Sequence, residues 1–269
     1  MKIGYILAPF ALVFAQLVSA QTLTIVHFND SHSQIEASRE YGSVGHSGIV
    51  EQSIIVDSIF RADGRKNVLL LHAGDFSQGS SYFKVFKGDM EVKVMNLLDF
   101  DATALGNHEF DNGVDELARR LKDLKCPVVC ANYDFSATSL GKLVKPYTIV
   151  RKAHSKIGII GIITDLTTVV DEGNSGSMKL LDTVQEVNKY AEILKKKKGC
   201  DLVICLSHCG FEKDVMYAQR YENVDLVVGG HSHTFMTEPT VVESADGKMI
   251  PIVQAGCYLM QAGVMKVRF

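Results

Sequence analysis

Five short apolar runs in this chain each hand over, at their C-terminal ends, to the same small set of polar residues. Phe28 is followed by Asn29-Asp30-Ser31-His32, and Leu71 by His72-Ala73-Gly74-Asp75. Leu105 leads into Gly106-Asn107-His108-Glu109-Phe110-Asp111, Leu206 into Ser207-His208, and Val228 into Gly229-Gly230-His231-Ser232-His233. Carboxylates, imidazoles and amides crowded at the end of a buried strand are costly unless something binds them. Taken singly, each end reads as a turn, because Gly106, Asn107 and Asp111 are good turn or cap residues. Five ends sharing one vocabulary are not explained that way. Open α/β sheets place ligands at the carboxyl ends of their strands, so the chain must fold to bring these ends together.

Periodicity supplies the elements in between. Residues 22–28 alternate polar and apolar with β-branched side chains, the pattern of a strand. Apolar runs at 68–71, 102–105, 128–131, 201–206 and 224–228 predict further strands, and 147–150 with 156–163 predict a hairpin. Strands at 240–243, 250–254 and 264–269 close the chain, with Asp246-Gly247 as a hairpin turn. Helical spacing marks 49–61, 89–98, 114–124 and 183–198, the third capped by Asn112 and stopped before Pro127. Residues 33–48 are polar and Gly-rich, a loop. The run Lys195–Lys198 is expected to be a solvated helix C-terminus, where cations suit the dipole. Strands alternating with helices, without internal repeat or linker, predict an α/β fold in one domain over residues 21–269.

Residues 1–20 have a basic start, an apolar stretch and small residues at the exit, which predicts a secretory signal peptide cleaved after Ala20. The stretch is broken by Pro9 and Gln16 and is shorter than the ~20 residues of a membrane span. An exported protein, periplasmic or extracellular and without a membrane span, is the expectation. The formal net charge is −3, and loss of Lys2 with the leader takes it to −4. That balance argues against bulk nucleic acid as a partner, which wants a basic face. A hydrophobic content of 46% excludes disorder. Six cysteines permit disulfides in an exported chain, but none has Cys-x-x-Cys spacing and no pairing is assigned.

Asp30, His32, Asp75, Asn107, His208, His231 and His233 together offer three oxygen donors and four imidazoles. That is enough for two divalent ions if one carboxylate bridges. Mixed N and O ligands without thiolate suit Mn, Zn, Fe, Co or Ni better than an all-oxygen Ca or Mg site. Two ions roughly 3.5–4 Å apart activate water and hold the oxygens of a phosphoryl displacement. His108 lies beside a candidate ligand and is expected to point elsewhere if the backbone there is extended. A free imidazole next to such a centre suits protonation of a leaving oxygen, with Asp111 holding its ring.

Asp30-x-His32, Gly74-Asp75, Gly106-Asn107-His108-Glu109, His208 and Gly230-His231-x-His233 resemble, in order, the calcineurin-type metallophosphoesterase signature. Their flanking residues resemble the N-terminal catalytic domain of the 5'-nucleotidase family. The resemblance implies a four-layer α/β/β/α sandwich. It also implies one metal on Asp30, His32, Asp75 and His233, and a second on Asp75, Asn107, His208 and His231. His108 and Asp111 then match the catalytic dyad. The implied activity is hydrolysis of phosphate monoesters, foremost 5'-nucleotides. Cyclic-nucleotide phosphodiesterase, nucleotide-sugar hydrolase and sulfur-ester hydrolase are the alternatives. Family members usually continue into a C-terminal domain that stacks the base and supplies arginines. Nothing in this sequence resembles it, so a metal-binding catalytic subunit served by a separately encoded partner chain is a further expectation.

Overall fold

Two six-stranded sheets lie face to face, with helices covering the outer face of each. The coordinates, a computed structural model, describe residues 21–37 and 48–269; the expected leader and positions 38–47 of the expected loop lie outside them. The first half of the chain runs β1 (Thr22–Phe28), α1 (Ile49–Asp63), β2 (Val68–His72), α2 (Ser81–Phe86) and α3 (Asp89–Leu98). It continues through β3 (Ala102–Ala104), α4 (Val114–Leu121), β4 (Val128–Val129), β5 (Tyr133–Asp134) and β6 (Val144–Lys145). Next come β7 (Tyr147–Lys152), β8 (Ser155–Ile163), α5 (Glu172–Ser175), β9 (Lys179–Leu180) and α6 (Thr183–Glu192). The chain closes with β10 (Leu202–His208), α7 (Phe211–Ala218), β11 (Leu226–Val228), β12 (Thr240–Glu243), β13 (Met249–Val253) and β14 (Gly263–Arg268).

The strand order is β14-β1-β2-β3-β4-β6 in one sheet and β12-β13-β11-β10-β8-β7 in the other, with β5 and β9 paired apart. Only β14, β12 and β7 run antiparallel to their neighbours in the two large sheets. The parallel strands therefore all end on one side.

Side-chain alternation sorts the layers. Leu23, Ile25, Leu69 and Leu71 meet Ile157, Ile159, Ile204 and Leu226 between the sheets. The intervening residues Val26, Val68 and Leu70 turn outward onto Val56, Val92, Met95 and Leu117 of α1, α3 and α4. On the other side Ile160, Ile162, Val203 and Val227 pack under Val184, Val187 and Ala191 of α6 and Ala218 of α7. This is the four-layer α/β/β/α sandwich.

Several local expectations are corrected. α4 begins after Gly113 with no side-chain cap, so Asn112 does not cap it, and it ends at Leu121. The predicted strand at 128–131 pairs only over Val128–Val129. α6 stops at Glu192 and gives way to a π-type turn over Ile193–Lys197. Lys195 is not solvated in the expected way, because its ammonium pairs with Asp225 Oδ2 at 2.6 Å. All six cysteines are free thiols in buried positions. No helix among the described residues is long and apolar enough to cross a membrane.

Candidate metal centre

The strand ends converge through an unusual backbone. Asp30, His32, Asp75, His231 and His233 all have φ between 47° and 77°, the left-handed region that L side chains rarely adopt. Each such residue costs on the order of 1 kcal/mol, strain that persists only where the surroundings over-determine it. The left-handed step follows β1, β2 and β11 and brings the side chains there to the shared edge, which Asn107 reaches from a turn and His208 from the end of β10. Glycine makes the crowding possible at Gly74, φ 91°, where a Cβ would stand 2.7 Å from the Gly106 nitrogen. A Cβ at Gly106 would strike the Asp75 backbone and carboxylate.

Each carboxylate has one oxygen tied down and one facing the cluster. Asp30 Oδ2 accepts from the His231 amide at 2.8 Å and the Asn29 side chain at 2.6 Å. Its Oδ1 faces Nε2 of His233 at 3.4 Å and of His32 and His208 at 3.8 Å. Asp75 Oδ1 accepts the His108 amide at 2.9 Å, and its Oδ2 stands 3.0 Å from His208 Nε2. His208 Nδ1 lies 2.7 Å from the Ala73 carbonyl and so carries a proton, which leaves Nε2 as the atom turned to the carboxylates and the one free to bind a cation once its own proton is displaced.

The donor set fits a divalent cation. Asp30 Oδ1, Asn107 Oδ1 and His208 Nε2 are buried without a hydrogen-bond partner, although buried polar atoms almost always have one. Three groups of potential ligand atoms come within 4.8 Å of one another: Asp30 with His32 and His233, His32 with Asp75 and His108, and Asp75 with His208 and His231. Asp75 joins two of these groups.

The electrostatics state the same demand. Burial works to lower the His208 pKa, but Asp75 and Asp30 outweigh it and lift it to about 10. The Asp30 carboxylate beside it, then contact with the Cys257 thiol, raises His233 to about 10. Burial and the neighbouring His208 charge push His231 down to about 4. Burial would raise the Asp30 and Asp75 carboxyls, yet His208 holds both below the ordinary range. The carboxylates require positive charge among these rings, and a divalent cation meets that requirement.

His108 departs from expectation. The backbone over Asn107–Phe110 is a 3₁₀ turn, not extended, and this aims the ring into the cluster. Its centroid lies 5.3 Å from that of His32, edge to face. Its Nδ1 stands 2.9 Å from Asp111 Oδ2. Burial opposes a charge on His108, but the Asp111 bond and the Asp75 charge win and raise its pKa.

Other residues hold the centre without belonging to the predicted set. The fully buried Glu109 accepts amides from Gly106 at 2.6 Å, Asp75 at 2.9 Å and Ser77 at 3.0 Å, clamping the β2 loop to the β3 loop. Arg120, itself buried, donates to the Glu109 carbonyl at 2.8 Å and the Ser77 hydroxyl at 2.9 Å. Gln254 donates to the Gly230 carbonyl and accepts from Ser232, fixing the β11 loop. One signal was available in the sequence: Arg120 sits on the apolar stripe of α4 with Leu117 and Leu121, where a cation must have a reason.

The centre opens into a cavity of ≈ 580 Å³ lined by His32, Gln34, Glu36, Ala37, Asp75, Gln78, Gly79, Asn107, His108, His231, His233 and Tyr258. A four-layer sandwich with Asp, His and Asn at its strand ends defines a metallophosphoesterase. The calcineurin-like phosphoesterase family matches residues 23–235, and the chain belongs to it. It is 37% identical to the snake venom 5'-nucleotidase of Naja atra, over 92% of this chain and 50% of that protein. Identity to the Homo sapiens 5'-nucleotidase is 36%, over 93% and 47%. The crystal structure of a 5'-nucleotidase precursor from Thermus thermophilus superposes with a TM-score of 0.85 at 34% identity, covering 92% of this chain and 51% of that one. The chain thus spans about half the length of the curated relatives it matches.

Proposed function

We propose that residues 21–269 form the catalytic domain of an exported dimetal phosphoesterase that hydrolyses phosphate monoesters, foremost 5'-nucleotides. One observation carries this reading: seven candidate ligands converge beside an imidazole–carboxylate pair. Asp30, His32, Asp75 and His233 would hold one divalent ion, and Asp75, Asn107, His208 and His231 the other. Bound there, two such ions would generate a nucleophile from water and neutralise charge on the phosphoryl oxygens. Asp111 orients His108 through Nδ1. That leaves Nε2, on the cavity side, to give a proton to the leaving oxygen. Glu109 and Arg120 keep the Asp75 and Asn107 loops in register, so the donors need not reorganise on binding.

Purified chain loaded separately with Mn²⁺, Zn²⁺ or Co²⁺ is expected to release inorganic phosphate from AMP and from an aryl phosphate. Activity confined to cyclic nucleotides, nucleotide sugars or sulfur esters would replace the monoester reading. A second reading is favoured by the cavity lining, which contains no lysine or arginine among the described residues. In it the chain is a metal-binding catalytic subunit whose substrate contacts come from a separate chain. Activation by such a chain would lower KM strongly and leave metal content unchanged.

A further inference from the structure

The edge opposite the metal centre has the reverse charge character of the chain as a whole. β1, β2, β8 and β10 begin there and β14 ends there. Two open depressions, ≈ 790 and ≈ 350 Å³, the larger mainly polar, share Lys66, Asn67, Ala153 and His154. Lys266 and Arg268 line the larger, Arg151 and Lys152 the smaller. Two of these cations are neutralised: Lys152 pairs with Asp101 at 2.9 Å and Lys266 with Asp63 at 3.3 Å. Asp63 also accepts the Thr24 hydroxyl at 2.6 Å. Lys66, Arg151 and Arg268 are exposed and form no ion pair among the described residues. Ala153 and His154, at φ 46° and 59°, form the tight tip of the β7–β8 hairpin and set His154 between the two depressions. The acid lining the depressions, Asp63, is already paired with Lys266, so the three cations without an ion pair among the described residues create a local positive field in a chain of net charge −3.

We propose that this groove binds a linear polyanion of the acidic-polysaccharide type, carrying sulfate or carboxylate groups along its length. Concavity and continuity across two depressions fit a chain better than a plane. Among the described residues the aliphatic side chains lining them are the methyls of Ala62 and Ala153, a poor means of entering a bilayer interface. No Phe, Tyr or Trp of the described residues lines either depression, so they offer none of the stacking faces that single-stranded nucleic acid uses. What remains is charge recognition by guanidinium and ammonium groups, which sulfates and carboxylates satisfy. Because the groove lies at the opposite ends of the strands from the metal centre, a docked polyanion leaves the catalytic mouth open.

The test is binding of a size-defined heparin oligosaccharide to the purified chain by titration calorimetry across a salt series. The triple variant Lys66→Ala/Arg151→Ala/Arg268→Ala is expected to bind at least about tenfold more weakly, with a salt slope shallower by ~2–3. A control removing three exposed cations elsewhere, Lys84→Ala/Lys87→Ala/Lys122→Ala, has the same net charge and is expected to bind like the parent. Near-equal melting temperatures confirm that the variants fold. Equal weakening in both triple variants, or no heparin binding by the parent at about 50 mM salt, overturns the proposal. So does tighter binding to oligothymidylate or to vesicles of phosphatidylcholine with about one-third phosphatidylserine, which would assign the groove to nucleic acid or to a lipid surface.

Discussion

At Asp75 a single carboxylate answers to both halves of the centre: Oδ2 faces His208, and the residue belongs to two of the three convergent ligand groups. His233 belongs to one, and is partly exposed at the rim. If Asp75 bridges, Asp75→Asn should cost both metal ions and His233→Asn mainly one. Elemental analysis of the two purified variants decides, and equal loss of one ion from each would end the bridging assignment. His108 is a sharper case, because its ring comes within ligand distance of His32 and Asp75 while its Nδ1 is engaged by Asp111. As a proton donor rather than a ligand, His108→Ala should keep the metal content and lower kcat by roughly 10²–10⁴-fold. A variant stripped of metal would instead make His108 a ligand. The residue types here were legible in the sequence, since buried carboxylates and imidazoles at strand ends carry their own physical signal. The left-handed backbone that aims them was not, because positive φ at Asp or His leaves no trace in a pattern of polar and apolar positions.

Among the elements, the long strands and amphipathic helices were readable because burial on one face imposes a period. The hairpins β7–β8 and β12–β13 follow from the same logic and pair as expected. Short elements were not readable: α2, α5 and the two-residue strands β5, β6 and β9 have too few positions to show a period, and α7 was missed although its eight residues equal α4 in length. Yet α7 matters, since its Asp214 is buried beneath the site loops. Its Oδ1 accepts the Ser207 hydroxyl at 2.5 Å, next to His208, and a Cβ on Gly229 would collide with Oδ2. Burial pushes the Asp214 carboxyl from 3.8 up to about 7. An acid with a raised pKa binds its proton more tightly in the fold. Its contribution to stability is therefore whole below 3.8 and is lost as pH climbs through about 7. Asp214→Asn holds a neutral group at every pH. The difference in melting temperature between variant and parent should then shift in the variant's favour over that window, by up to ~4 kcal/mol in free energy. Thermal scans across the range check this, and a constant difference would mean that Asp214 is ionised throughout.

On the scale of the molecule, two parallel-cored sheets aim their strand ends at one mouth, and the lining of that mouth sets what the chain can discriminate. Among the described residues the cavity offers imidazoles, carboxylates, amides and one phenol, Tyr258. That ring already packs against His32 at 5.4 Å and His233 at 5.6 Å, which leaves it a poor platform for a nucleobase. No arginine or lysine of the described residues lines the cavity to hold phosphate oxygens. On the proposed dimetal reading, the bound ions would carry the charge of the phosphoryl group and would supply no preference among leaving groups. A site that contacts only the reacting centre cannot spend remote binding energy on selectivity. The isolated chain should therefore hydrolyse AMP, CMP and an aryl phosphate with kcat/KM values within about tenfold, a spread of only ~1.4 kcal/mol in transition-state binding. Steady-state kinetics on the purified chain, with each of the three substrates and no other protein present, provide the measurement. A preference of several hundredfold for one nucleotide would show that base recognition is built into this chain. It would then have to come from side chains beyond the described cavity lining.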